Sequence, residues 1–139
     1  MAERTMTLEI VTPDRVVMSD GDAVSVVAPG SMGYLGILAN HAPLMTELAV
    51  GEITIRRADG SEVHLASTEG FMEVADNKVT ILTDSAEKSE EIDIDRAKES
   101  VRRAEDRLAH RLEEEVDTAR AEASLHRAVN RLHVAERWR

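Results

Sequence analysis

The chain of 139 residues carries 27 acidic against 17 basic side chains, a formal net charge of −10, and no cysteine. That length bounds it to one domain or two small ones. The acid excess argues against a protein that wraps nucleic acid, which needs surplus Lys and Arg, and the missing thiols exclude a disulfide scaffold, a thiolate metal site and a cysteine nucleophile.

No apolar run approaches membrane-spanning length. Met1–Thr7 has neither the basic nor the apolar segment of a signal peptide. All seven glycines lie at or before Gly70 and all three prolines at or before Pro43. Turns are therefore concentrated in the first half of the chain. Short strands are expected there at Leu8–Thr12, Ala23–Ala28, Glu52–Arg56, Glu62–Ser67, Phe71–Ala75 and Lys78–Thr83, each rich in Val, Ile or Thr. Asp59-Gly60 and Asp76-Asn77 read as hairpin turns between them. The segment Gly33–Leu44 reads as an apolar loop. Strands this short and closely spaced predict an antiparallel sandwich or barrel.

From Glu87 onward the period changes. Ile94, Ala97, Val101, Ala104 and Leu108 form one helical stripe, and Ala121, Leu125, Ala128, Leu132 and Ala135 form a second. Asp93 is placed to cap the first helix. Continuing the first stripe puts Arg111, Glu115, Thr118 and Glu122 on the seam, so the two stripes are out of register. A bend in Glu113–Asp117 lets both stripes face each other as an antiparallel hairpin. The expected class is thus α+β, with an all-β sandwich over 1–86 and a helical hairpin over 87–139. Because the seam is mostly Ala, it buries little apolar area and is expected to open readily.

The charge divides unevenly: −8 over residues 1–86, −5 over 87–117 and +3 over 118–139. The last segment is a basic arm suited to an acidic surface, or else a solvated face whose arginines pair with the first helix. No phosphate loop, nucleophile elbow or paired metal spacing occurs. His41, His64, His110, His126 and His133 read as solvated or packed. A small sandwich hydrolase would need an acidic concave site in residues 1–86, and no paired motif there supports one.

Three segments carry more specific information. Val11-Thr12-Pro13-Asp14, the run from Gly33 through Tyr34, Gly36, Ile37, Leu38, His41 and Pro43 to Leu44, and Ile92-Asp93-Ile94-Asp95-Arg96-Ala97 together resemble the epsilon subunit of F-type ATP synthases. The likeness runs the whole length, sandwich before hairpin. It implies a non-catalytic subunit of the central stalk, docked through Gly33–Pro43 on the gamma subunit and the c-ring of the rotor. It also implies a hairpin that either lies compact or extends to the alpha/beta catalytic head and inhibits ATP hydrolysis. Arg120, Arg127, Arg131 and Arg137 are then the beta-subunit contacts.

In some bacterial relatives the compact hairpin holds ATP as a regulatory ligand. That resemblance assigns Glu87, Asp93, Arg96, Ala97, Arg127 and Arg131 here. Arg127 and Arg131, four apart, can converge on a phosphate chain, while carboxylates can accept from an adenine amino group or a ribose hydroxyl. Alternatively Asp93 only caps its helix, Arg96 pairs with Asp93 or Glu99, and Arg127 and Arg131 serve the extended state. Two departures stand out: Ala39-Asn40 replaces the family's Pro-Gly, and Tyr34 replaces its acidic rotor-facing residue. Asn tolerates the left-handed backbone such a turn requires. The implied location is the cytoplasmic face of a bacterial plasma membrane, or an organelle equivalent, attached only through the complex. A stand-alone adaptor or dimerisation protein without nucleotide binding is the alternative.

Overall fold

The computed structural model describes residues 4–110 and 118–138. Nine strands come first: β1 (Met6–Val11), β2 (Val16–Gly30), β3 (Gly33–Leu38), β4 (Leu44–Leu48), β5 (Gly51–Arg57), β6 (Glu62–Ser67), β7 (Gly70–Ala75), β8 (Lys78–Thr83) and β9 (Ala86–Lys88). A 3-10 turn at Ser89–Glu91 leads to two helices, α1 (Ile94–Ala109) and α2 (Thr118–Arg137). The chain divides into compact units at Met1–Lys88 and Ser89–Arg139. The division falls two residues beyond the expected one, because Ala86–Lys88 pairs with β6 as a strand.

Strand β2 organises the first unit. Its opening half pairs with β1, and its closing half lies between β3 and β5. One layer therefore runs β3-β2-β5-β6-β9, and the other runs from β2 through β1, β8 and β7 to β4. A single pair, Gly30 with Leu48, links β2 to β4 at one end. Every ladder is antiparallel except β1 with β8, which is parallel. This corrects the expectation of a purely antiparallel sandwich. Period-two alternation fills the space between the layers: Leu8, Ile10, Val26, Ile53, Ile55, Leu65, Met72, Val74, Val79 and Ile81 are almost wholly buried. Burying one such side chain contributes about 1.5–3 kcal/mol.

All six expected strands are present. Three further strands, β3, β4 and β9, and the first half of β2 are additions. Val16–Asp22 hides its strand character because Val17 and Met18 are both buried while Ser19, Asp20, Gly21 and Asp22 interrupt the apolar pattern. The expected loop from Gly33 is β3 followed by a turn, since Gly36 and Gly33 face outward, where a strand needs no side chain for its core. Both predicted hairpin turns form. Gly60 has φ 86°, and Asp76 and Asn77 have φ 51° and 58°, the paired positive values of a two-residue I′ turn.

In the second unit α1 packs along α2. The Asp93 carboxylate accepts from the N–H of Arg96 at 3.2 Å, capping α1. Ala97, Ala104, Ala121, Val134 and Ala135 are its wholly buried helical residues. Ile94, Val101, Leu108, Leu125, Ala128 and Leu132 are only half-buried. The predicted stripes thus form the seam, and the seam is made of small side chains. The expected bend at Glu113–Asp117 lies outside the described residues.

Candidate functional site

The segment singled out for docking is drawn out along an edge strand. From Tyr34 to Leu38 it spans about 13 Å at strand rise. Ile37 points inward and is 1% exposed, whereas Tyr34 and Leu38 point outward and are each 60% exposed. The Tyr34 hydroxyl accepts from the N–H of Glu52 at 3.2 Å. Gly51 lies beneath it, and a Cβ there would meet Pro29 Cβ at 2.6 Å and the Tyr34 oxygen at 2.8 Å. Tyr34 is thereby laid across β2 onto β5.

At the far end of β3 the chain turns through Asn40, whose φ is 63°. The Asn40 N–H donates to Asn77 Oδ1 at 2.8 Å, and Asn77 Nδ2 donates to the Thr5 carbonyl at 3.0 Å. His41 and Pro43 are exposed in this turn, with the His41 ring Nδ1–H donating to the Ala42 carbonyl at 2.6 Å. The docking residues therefore occupy two ends and two faces of a strand. Tyr34, Gly36 and Leu38 form an outer row that follows exposed Gly33, His41 and Pro43 form a separate corner, and Ile37 belongs to the core.

A second surface escaped the sequence reasoning. The turns at the Tyr34 end enclose a groove of about 820 Å³ lined by Val11, Pro13, Leu48, Phe71 and Leu82 among others. Glu47, Glu69 and Asp84 also line it. Register places Val11, Leu82, Phe71 and Glu47 in one row across β1, β8, β7 and β4. Phe71 is 54% and Leu82 52% exposed. Their sequence signal was an apolar residue at the outward phase of each strand, next to the inward Met72 and Ile81.

The residues assigned to nucleotide fall in both units. Glu87 is half-buried in β9 of the first. In the second, Asp93 is the cap of α1, Arg96 is exposed one turn on, and Ala97 is wholly buried in the seam. Arg127 and Arg131 lie half-buried one turn apart on α2, with Arg127 Nη2 donating to Ser124 Oγ at 3.4 Å. Of the other proposed contacts, Arg120 is exposed in the first turn of α2, and exposed Arg137 stacks over the Trp138 ring at 5.0 Å. A shallow cleft of about 570 Å³ is lined by Glu90, Glu91, Asp93 and Asp95 with Ile92 and Ile94. That chemistry suits hydrogen-bond donors and an apolar ring, not phosphate.

His64 is packed rather than solvated. Its Nε2 lies 3.1 Å from Glu62 Oε2, and Nδ1 lies 3.3 Å from the Thr54 hydroxyl. No described helix is long and apolar enough to cross a membrane.

A β-sandwich followed by a helix pair, with an apolar groove at one sandwich end, defines a two-module docking protein. Comparison with known proteins makes that class specific. Residues 5–89 match the family model for the ATP synthase delta/epsilon chain β-sandwich domain, and residues 90–136 match that for its long α-helix domain. The ATP synthase epsilon chain of Pelotomaculum thermopropionicum is 52% identical over 109 residues, covering 78% of this chain and 80% of the relative. That of Koribacter versatilis is 53% identical over 106 residues, covering 75% and 72%. A chain in the cryo-EM structure of the Euglena gracilis mitochondrial ATP synthase, OSCP/F1/c-ring, shares the fold at TM-score 0.75 and 22% identity, covering 88% of this chain and 76% of its own. The chain belongs to the ATP synthase delta/epsilon chain family.

Proposed function

We propose that this chain is the epsilon-type subunit of a rotary ATP synthase central stalk, a non-catalytic part that links the rotor to the catalytic head and restrains ATP hydrolysis. Its partners are the gamma subunit, the c-ring and the alpha/beta head, and it meets the cytoplasmic face of the membrane only through them. The gamma subunit takes the groove of Val11, Leu48, Phe71 and Leu82. The apolar lining supplies a desolvated anchor, and Glu47, Glu69 and Asp84 favour a gamma segment with basic residues around an apolar side chain.

One observation carries the regulatory part: the helices belong to a separate compact unit, and among the described residues the buried ones on the two helices are four alanines and one valine. A seam of alanines offers about 1 kcal/mol per buried methyl-sized group, so a ligand of ordinary affinity can decide between closed and open states. ATP is the ligand we assign. Arg127 and Arg131, with Arg96, supply cations for the phosphates, and Asp93 accepts from the adenine amino group or the ribose. Asp93 can do this while capping α1, because a carboxylate has acceptor capacity beyond one N–H.

Hydrolysis by the assembled enzyme, with the full chain and with residues 89–139 removed, tests the restraint. Faster hydrolysis on removal is expected, and equal rates would leave the hairpin without an inhibitory role. Calorimetric titration of the full chain with ATP tests the ligand. Heat that disappears in Arg127→Ala supports the assignment, and no heat at millimolar ATP removes it.

A further inference from the structure

The apolar row on the outer face of the sandwich is longer than the groove. Register pairs Val16 of β2 with Val11, Val11 with Leu82, and Leu82 with Phe71. Paired residues share a face of the sheet, and Val16, Leu82 and Phe71 are each more than half exposed. The row thus crosses four strands and spans about 14 Å from Val16 to Phe71 at ordinary strand spacing. It is one residue wide. Two residues further along the strands the outward positions are Glu9, Thr80 and Glu73. On its other side lie the turns that carry Glu69 and Asp84. An apolar occupant therefore has to run across the strands, not along them.

The backbone beneath the row is already engaged. Val11, Leu82 and Phe71 each have a strand partner on both sides. The face offers side chains alone, so a partner strand cannot be added to it. An extended segment laid across it would press its own N–H and C=O groups onto apolar side chains that cannot pair with them, a penalty at every buried group. A helix keeps its backbone hydrogen bonds inside itself. Its same-face residues recur at about 5.4 Å, near the roughly 4.8 Å between strands, whereas those of an extended chain recur at about 6.7 Å.

We infer that the occupant of this row is an amphipathic helix of about three turns, lying across β2, β1, β8 and β7. Its apolar stripe covers Val16, Val11, Leu82 and Phe71. Lys or Arg on both flanks of that stripe meets Glu73 on one side and Glu69 and Asp84 on the other. This rests on the reading that the gamma subunit takes the groove, and it adds the shape of the gamma element.

Photo-cross-linking in the assembled ATP synthase tests that shape. A benzophenone amino acid replaces Val16, Leu82 or Phe71 in turn, all exposed positions, and mass spectrometry maps the residue to which each attaches. The expected sites lie in one gamma segment, with those of Phe71 and Leu82 about three or four residues apart and those of Phe71 and Val16 about ten apart. A full span of about four residues belongs to an extended chain and would overturn the inference. Sites in unconnected segments, or no attachment from Val16, would overturn it as well. If the helical spacing appears in a chain other than gamma, the helix stands and the gamma reading alone falls.

Discussion

The side-chain oxygen of Asn77 accepts the backbone N–H of Asn40 at 2.8 Å, joining two turns 37 residues apart. Both residues sit at positive φ, and the same Asn77 side chain donates to the Thr5 carbonyl. Its own carbonyl accepts from Thr7 N–H at 3.1 Å. One residue thus holds the N-terminal strand, the β3–β4 turn and the β7–β8 turn together at the His41 corner.

Replacing Asn77 separates its two roles. Asn77→Gly keeps the turn geometry and loses two side-chain hydrogen bonds, about 1–3 kcal/mol together. Asn77→Ala adds the cost of a left-handed backbone, about 1 kcal/mol more. Urea denaturation should rank wild type above Gly above Ala. A stability for Ala equal to that of Gly would mean the turn does not need its positive φ.

The Arg57–Asp20 pair makes the acid limb of stability specific. Arg57 Nε lies 2.6 Å from Asp20 Oδ2, and the N–H of Asp22 donates to the other oxygen at 2.8 Å. Burial alone pushes the Asp20 carboxyl up, but the Asp22 N–H and the Arg57 guanidinium together outweigh it and hold it below its ordinary 3.8. A carboxylate depressed in the folded state stabilises the fold above its unfolded pKa, and that contribution is lost as pH falls through the folded value. The loss therefore lies below about pH 4. Arg57→Gln should lower stability at neutral pH and flatten its dependence in that acid window. An unchanged acid slope would contradict the pairing.

Gly70 and Gly36 form a matched test of close packing. A Cβ on Gly70 would press on the Leu82 carbonyl and sit 2.7 Å from Thr83 Cγ2, whereas one on Gly36 meets nothing within 4 Å. Gly70→Ala should cost about 1–3 kcal/mol, as overpacking does. Gly36→Ala should stay within about 0.5 kcal/mol, as a surface change does. Thermal unfolding of the two variants reads the difference directly.

The groove predicts a variant that folds but does not assemble. Phe71 is 54% exposed, so Phe71→Asp should change stability by less than about 1 kcal/mol. It also places a fourth carboxylate beside Glu47, Glu69 and Asp84. Binding to an isolated gamma subunit should fall at least about tenfold, as for a central aromatic anchor. Unchanged binding would move the docking surface elsewhere.

The sequence revealed much of this fold for physical reasons. Ile53 and Ile55 alternate with Thr54 and Arg56, and the alternation matches one buried and one open face. Ala97 and Ala104 lie seven apart and fall on one helix face. Other features lay beyond its reach. The parallel pairing of β1 with β8 depends on contacts just over seventy residues apart, which no local period encodes. The glycines of β3 imitate a loop because their missing side chains all face outward. Glu87 was grouped with Asp93 through the family resemblance, and its pairing with Ala66, a contact no local period encodes, puts it in the first unit. Leu82 and Phe71 were visible as strand residues, but their outward phase became a surface only once the register aligned them.

The central claim is that the helix pair opens in the working enzyme and that ATP closes it. Its most direct measurement is electron–electron distance spectroscopy on the assembled ATP synthase, with spin labels at exposed Lys98 on α1 and His133 on α2. The account predicts a short and a long distance without nucleotide, with the short population growing as ATP is added. A single short distance under every condition would contradict it.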